Sequence, residues 1–422
     1  MAVGGMIGGG IFTVLGVAIA LAGHLAAGCF VLGMLLAGAT ARSYAGVGAR
    51  AGRSGGPFEH LREQGHAQLA GLLLWLLVLG YVVVMGVYSF TFGRYAAEAL
   101  GAPVSVARVL SVAVVVAFLA VNLRGVVLSS PTEDVIVALK LAILATIAIV
   151  GVSRFSPHRL TPMADRGWGG LLLGAATVFV AYEGFELITY DRDDMDDPDV
   201  TMPRALYVSV AIVAAIYVTV TVGSQMLTPD ATIVAQREVA FAAVGDAALG
   251  SIGRWLAIAG AILATSSAIN ATIFSAARLI RDAAGSGELP AAFAAQRNGE
   301  PIVALVAISL GGTAMAMLPG LTEVIAFGSA SFLAIYTLVN VLEVSMATRA
   351  RDRAIAAAAA TGCVGAIVAL VVELARDDPG ALAFLIAGAA ALGAGRVAFA
   401  RRHVGPNDPG GVRPAAGRSL LR

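Results

Sequence analysis

The chain has 422 residues, of which 58% are hydrophobic and only 13% are charged, and its mean hydropathy is +0.85. Soluble domains are typically about 45–50% apolar and about 25% charged, so this composition excludes an ordinary soluble protein and indicates a chain dissolved in the lipid bilayer. The 28 basic and 27 acidic residues nearly cancel, which gives no polybasic footprint for nucleic acid.

Apolar windows predict about twelve membrane-spanning helices, each near the roughly 20 residues that the hydrocarbon core requires. These spans take up nearly all the apolar residues and leave no room for a large soluble catalytic domain. No run shows the short alternation of a β-barrel strand, so every span is expected to be a helix. The predicted spans are 1–22, 26–47, 69–99, 104–122, 133–152, 168–190, 205–226, 252–280, 302–318, 322–345, 354–374 and 380–400.

The arginines predict how the spans are oriented. With both termini in the cytoplasm, more than twice as many arginines fall on the cytoplasmic side as on the outer side. Such a bias favours an even number of spans with both ends inside. We therefore expect a multi-pass protein of the cytoplasmic membrane.

Two spans contain glycines that a continuous apolar helix does not need. Five of the seven residues from Gly4 to Gly10 are glycine, and Gly184 interrupts the sixth span. The two positions are five spans apart, and an odd number of spans inverts the second half relative to the first. Broken helices at matching positions of inverted halves indicate a transporter with a binding site at the middle of the membrane. Ordinary glycine-rich helix packing is the alternative.

Polar segments support the same symmetry. Residues 55–68 follow the second span and residues 230–250 follow the seventh, and both segments are expected to lie at a membrane interface. Five spans separate them as well. They are therefore the expected equivalent loops of two inverted repeats.

With these features the chain resembles the amino acid–polyamine–organocation (APC) family of permeases. Residues 5–12 read GMIGGGIF and are similar to the family's first-span signature, usually written G-x-x-I-G-x-G-I-F. Other segments resemble the family's loop after span two, its sixth span and following loop, and its eighth span and exit. These segments occur in the family's order, at residues 44–61, 179–205 and 268–290.

The resemblance implies an all-α integral membrane protein with the LeuT-like 5+5 inverted-repeat fold, discontinuous helices 1 and 6, and two extra helices. It also implies secondary transport of amino acids or related amines. The implied organisation is a single transmembrane domain over residues 1–400, with repeats at 1–155 and 168–345, additional helices at 354–400, and a disordered cytoplasmic tail at 401–422.

A zwitterionic substrate needs separate partners for its carboxylate and its ammonium group. A break in span one frees backbone N–H groups at the start of the next half-helix, where the helix dipole also favours an anion. Carbonyls freed at the break in span six can accept hydrogen bonds from the ammonium group. The expected substrate-binding residues are Ile7, Gly8, Gly9, Gly10, Phe179, Ala181, Tyr182, Glu183 and Gly184.

Aromatic residues are candidates for recognising the substrate's side chain. Phe179 and Tyr182 on span six are two such candidates, and the resemblance implies that Phe179 or a neighbour acts as a gate. Tyr81, Met85 and Tyr88 on span three are further candidates. For any one of them, ordinary helix packing is an equally good interpretation.

Lys140 is the only lysine, and it lies about one-third of the way into span five. A basic group at that depth is costly unless it is paired or solvated, so we expect it to be functional and to bind and release a proton. The resemblance implies that it takes the place of the cation of sodium-coupled relatives, between carbonyls near residues 4–7 and the hydroxyl of Ser266 or Ser267. Snorkelling of its stem to the interface is the alternative.

Glu183 and Glu186 form an i, i+3 pair beside the break in span six. Carboxylates within the membrane indicate either proton handling or recognition of a cationic group. Orientation of helices or capping of freed backbone is an equally good interpretation of Glu186. The proton-coupling candidates are thus Lys140, Ser266, Ser267 and Glu186.

The expected function is proton-coupled symport of amino acids or related amines by alternating access. Exchange without net proton movement and amino acid sensing without transport are the alternatives. No nucleophile–base constellation or metal-ligand cluster is visible, so we expect no enzyme activity, cofactor or metal. The expected partners are a small-molecule substrate, the proton and the lipid bilayer, with no nucleic acid; the substrate's identity and the oligomeric state are open.

Overall fold

The computed structural model describes residues 2–51, 56–125, 130–190, 192, 195–236, 238–318 and 320–403. No β-strand occurs in these parts of the chain. The α-helices are α1 (Ala2–Met6), α2 (Gly10–Ala22), α3 (Ala26–Ala51), α4 (Gly56–Glu63), α5 (Ala67–Ala99), α6 (Val104–Leu123), α7 (Ser130–Ser153), α8 (Gly167–Thr177), α9 (Pro198–Leu227), α10 (Asp230–Ala235), α11 (Ala240–Gly285), α12 (Ile302–Ala316), α13 (Leu321–Met346), α14 (Ala350–Asp377) and α15 (Pro379–His403).

Ten stretches of the described chain are helical, long and apolar enough to cross a membrane. One of them, Gly10–Arg50, contains both α2 and α3, and α12 is apolar but shorter. The all-helical membrane architecture is therefore confirmed. The count of twelve spans and the division into two inverted repeats stay predictions.

Both glycine-marked spans are interrupted. The first span consists of α1 and α2, which residues 7–9 separate as a turn and bend. In the sixth span, α8 ends at Thr177 and 3-10 turns follow at Val178–Tyr182 and Phe185–Tyr190. Gly184 lies between these turns with φ +106°, a conformation that side chains with a Cβ rarely adopt.

The eighth span is preceded by a shorter helical segment. Helix α11 starts at Ala240 but bends at Leu249 and Gly250, whose backbone is not helical, so the part after the bend begins close to the predicted start at residue 252. The bend is tight because Gly245 and Gly253 pack backbone to backbone, with no room for a Cβ on either. The predicted interfacial segment 230–250 is therefore largely helical, in α10 and the first part of α11.

The two breaks lie inside the helical bundle. Helix α5 packs against α6, α11, α12 and α13, and α1 packs against α9 and the second 3-10 turn. Helix α15 is peripheral, since only 6% of its most apolar window is buried. It continues to His403, and the rest of the predicted disordered tail, residues 404–422, lies outside the described residues.

Candidate functional site

The breaks in the first and sixth spans touch each other. A Cβ built on Gly184 would lie 3.2 Å from both Gly5 C and Met6 N, so the backbones pack with no intervening side chain. This contact needs glycine at position 184 for its backbone conformation and for its lack of volume. Two irregular segments that are far apart in sequence thus form one buried centre.

Tyr217 of α9 joins the two breaks. Its hydroxyl lies 2.7 Å from Met6 O and 3.0 Å from Ala181 O, within hydrogen-bond distance of one carbonyl from each break. One phenol hydrogen can satisfy only one of these acceptors fully at a time. The sequence alone does not predict this role of Tyr217, because an ordinary apolar span carries no local signal of its partner.

The glycines of the first break leave little space for side chains. A Cβ on Gly8 would lie 2.7 Å from Ala268 Cβ, and one on Gly9 would lie 2.6 Å from Tyr88 Cδ1. We call residues 8–10 the glycine cradle. Side chains of α5 and α11 close it at Gly8 and Gly9, and Tyr217 of α9 and Ala181 close it at Gly10.

The backbone N–H groups of the first break divide into two sets. Those of Ile7 and Gly8 already donate to Val3 O at 3.0 Å and Gly5 O at 3.1 Å. Gly9 is the N-cap of α2 and has no side-chain cap, and the first N–H groups of a helix have no partner within it. Anion binding is therefore best supported at Gly9 and Gly10.

Tyr88 links the glycine cradle to the sixth span. Its ring lies beside Gly8 and Gly9, and its hydroxyl donates to Glu183 Oε2 at 3.0 Å. The other span-three candidates lie elsewhere: Tyr81 packs against Phe332, and Met85 packs against Gly312. Of the three predicted residues, Tyr88 is the one that the structure brings to the breaks.

The sixth break carries buried carboxylates. Glu186 is fully buried, and its Oε2 accepts hydrogen bonds from Gly184 N at 3.0 Å and from Tyr336 Oη at 2.8 Å. Its other oxygen, Oε1, is buried without a hydrogen-bond partner. We call Glu183, which is 5% exposed, and Glu186 the carboxylate pair. The ion pairs of the described residues include neither of them.

The aromatic candidates on span six are packed into the protein. Tyr182 donates to Phe30 O at 2.7 Å, and its ring lies against Gly33 of α3. Phe179 is 1% exposed and meets the Tyr336 ring edge to face, with centroids 5.8 Å apart. These contacts fit helix packing well, and for Tyr182 they direct the side chain towards α3.

Ser329 of α13 completes the backbone hydrogen bonding where α8 ends. Its hydroxyl donates to Thr177 O at 2.5 Å and accepts from Val180 N at 2.9 Å. The 3-10 turn frees these backbone groups, and leaving them unpaired away from water would be costly. Ser329 therefore stabilises the break, and no local signal in the sequence predicts this role.

Lys140 of α7 is fully buried, and its Nζ donates to Gly4 O at 2.9 Å. Its side chain is therefore inside the protein instead of snorkelling to the surface. Hydrogen bonds of the described residues do not join it to Ser266 or Ser267, which are half-buried on α11. The hydroxyl residue of α11 at the glycine cradle is Thr265, whose Cγ2 would lie 3.2 Å from a Cβ on Gly9.

A cavity of about 1070 Å³ lies apart from the two breaks, where α5 ends, between α10, α11 and the start of α13. Two ion pairs line it, Arg94 with Glu238 and Arg254 with Glu98. Among the described residues there is no group of three or more His, Cys, Asp or Glu side chains that could hold a metal ion.

The sequence matches the amino acid permease family over residues 1–385. The chain is 30% identical to uncharacterized protein MJ0609 of Methanocaldococcus jannaschii, over 80% of this chain and 79% of the relative. It is 29% identical to the inner membrane transport protein YbaT of Escherichia coli, over 68% of each chain. Identity to the methylthioribose transporter of Bacillus subtilis is 30%, over 70% of this chain and 67% of the relative.

Proposed function

The chain belongs to the amino acid permease family, and we propose that it transports amino acids by proton-coupled symport. As a family member it is a multi-pass membrane transporter of amino acids or related substrates, and not an enzyme. The proposal adds the coupling ion, the residues of the site and alternating access between two inverted repeats with both termini in the cytoplasm.

The contact between the two breaks carries this proposal. Gly184 packs directly on Gly5 and Met6, and a Cβ on Gly10 would lie 3.4 Å from Ala181 Cα, so both α1 and the start of α2 lie against the turns after α8. The N–H groups at the start of α2 favour a carboxylate. Carbonyls of residues 181–184 favour the α-ammonium group. This arrangement suits a zwitterion, with Ile7 and Phe179 packed beside it.

Lys140 is the proposed coupling residue. Its ammonium group holds the Gly4 carbonyl of α1, and a charged donor makes a stronger hydrogen bond than a neutral amine does. Loss of the proton therefore weakens the connection between α7 and α1. Release of α1 would open the site on the side where α1 begins. Glu186, which holds the backbone of the sixth break, is the second proposed coupling group.

Uptake into proteoliposomes tests the proposal. Purified protein is reconstituted, and uptake of a labelled amino acid panel is measured with and without an inward-directed proton gradient. We expect gradient-driven accumulation by the wild type. Lys140→Ala is expected to lose accumulation while retaining counterflow, because substrate exchange does not require net proton movement.

Thr146→Ala is the matched control, since Thr146 is exposed on the same helix and bonds only its own helix. Accumulation by Lys140→Ala equal to that of Thr146→Ala would reject Lys140 as the coupling group. Counterflow by the wild type with no response to the gradient would instead indicate an exchanger. Ligand binding with neither uptake nor counterflow would indicate a sensor.

A further inference from the structure

The carboxylate pair has no cationic partner among the described side chains. Glu183 and Glu186 are 5% and 0% exposed, and their described partners are two tyrosine hydroxyls and one backbone N–H group. Glu186 Oε1 is buried and has no hydrogen-bond partner among the described residues. A buried negative charge is costly unless a proton or a cation neutralises it.

Tyr88 spans the distance between the glycine cradle and Glu183. A Cβ on Gly8 would lie 3.2 Å from Tyr88 Cζ and one on Gly9 2.6 Å from Tyr88 Cδ1, so the ring fills the space beside both glycines. Its hydroxyl ends 3.0 Å from Glu183 Oε2. A ligand that enters the space beside Gly8 and Gly9 therefore takes the place of this ring.

Displacement of Tyr88 removes the described hydrogen-bond partner of Glu183. The ligand that takes the ring's place then has one end at the backbone amides and the other beside a buried carboxylate. The α-ammonium group of an amino acid is on the carbon next to its carboxylate. Glu183 Oε2 lies 3.0 Å beyond the Tyr88 hydroxyl, whereas the ring edge at Cδ1 faces Gly9, so a side chain as long as the ring can place a cation beside Glu183.

We propose that Glu183 is the specificity-determining anchor for a positively charged side chain, and that the preferred substrates are amino acids with a side-chain ammonium group. This inference rests on the proposed transport function and narrows its substrate class. Such a substrate places its carboxylate in the glycine cradle and its side-chain cation against Glu183. The unpartnered oxygen of Glu186 adds negative potential on the same side of the site.

L-lysine and two compounds that each lack one of its charged groups test the inference. L-lysine carries both the carboxylate and the side-chain ammonium group, norleucine lacks the side-chain ammonium group, and cadaverine lacks the carboxylate. Competition against labelled L-lysine on purified wild-type protein should rank lysine at least about tenfold above each of the others, since a charge-assisted hydrogen bond contributes about that factor. Glu183→Gln should reduce the lysine-to-norleucine ratio about tenfold or more.

Glu183→Asp is the conservative variant and should recover part of the preference for lysine. Asp282→Asn is the matched control, because Asp282 is an exposed carboxylate that pairs with Arg281. It should keep the wild-type ratio. Size-exclusion profiles of all variants separate a change of preference from loss of fold.

Several outcomes would overturn the inference. Norleucine that binds the wild type as well as lysine does, or an unchanged preference in Glu183→Gln, contradicts a side-chain anchor. If Glu183→Gln loses the response to a proton gradient but keeps the lysine preference, Glu183 carries a proton instead. Uptake of neutral amino acids alone would end this inference and leave the transport function standing, whereas no binding or uptake of any compound would end both.

Discussion

Both breaks leave irregular backbone inside the helical bundle, but different chemical groups surround that backbone at each break. At the first break, the residues that meet the partner helices are glycines, and the available polar groups are backbone N–H groups at the start of α2. At the sixth break, the carboxylates of Glu183 and Glu186 and the hydroxyls of Ser329 and Tyr336 surround the backbone. One side of the site is therefore built from backbone groups of glycines, and the other side is built from polar side chains.

This difference has an electrostatic consequence. The start of a helix carries a partial positive charge, while the carboxylate pair supplies negative charge. The two sides are complementary to the opposite ends of a zwitterion. Substitutions should therefore act differently at the two breaks, through added volume at the first and through lost hydrogen bonds at the sixth.

The largest effect is expected for Gly9→Ala. Its Cβ would lie 2.6 Å from Tyr88 Cδ1 and 3.2 Å from Thr265 Cγ2, and it would obstruct a carboxylate approaching the amides. Overpacking of this kind costs about 1–3 kcal/mol, which corresponds to about a five- to 150-fold loss of substrate affinity. Equilibrium binding of labelled substrate measures it.

Gly38→Ala is the control for Gly9→Ala, because a Cβ on Gly38 of α3 meets nothing within 4 Å. We expect wild-type affinity from this variant. Equal affinity in both alanine variants would show that the glycine cradle does not bind the substrate.

Glu186→Ala should be the most destabilising change at the sixth break. It leaves Gly184 N–H and Tyr336 Oη buried without an acceptor, at a cost of about 2 kcal/mol. Glu186→Gln retains an acceptor oxygen and should lose less. Glu98→Ala, which breaks a half-exposed ion pair with Arg254, should cost less than about 1 kcal/mol.

Thermal unfolding in detergent ranks these three variants. A Glu186→Ala protein as stable as Glu98→Ala would mean that the carboxylate does not hold the backbone of the break.

Tyr217→Phe tests the connection between the breaks. Loss of the hydroxyl that reaches Met6 O and Ala181 O should cost about 1 kcal/mol and lower the transport rate severalfold. Thr219→Val removes a hydroxyl that bonds only within α9, and it should leave both quantities near wild type. Identical transport rates in the two variants would contradict a linking role for Tyr217.

Ser329→Ala should give the smallest effect, about 0.6 kcal/mol, which is the average for hydrogen bonds between membrane helices. Its partners, Thr177 O and Val180 N, belong to the sixth span. Ser331→Ala is the control on the same helix, because Ser331 bonds only to Phe327 O. Hydrogen exchange at residues 178–182 should rise in Ser329→Ala alone, and equal exchange in both variants would exclude the capping role.

The sequence predicted the helical class and the positions of both breaks, because glycine clusters mark irregular backbone locally. It did not predict Tyr217, whose partners lie 36 and 211 residues away, or Ser329, whose partners lie 149 and 152 residues away. A lone hydroxyl in an apolar span becomes informative only when helix packing is known.

A cryo-EM structure of the protein in lipid nanodiscs, at saturating concentration of an amino acid that it accumulates, tests whether the substrate binds between the two breaks. We expect ligand density there, with the ligand's carboxylate within hydrogen-bond distance of the Gly9 and Gly10 amides. Tyr88 is expected to have moved away from the glycine cradle. Ligand density elsewhere, with Tyr88 still against Gly9 and bonded to Glu183, would contradict it.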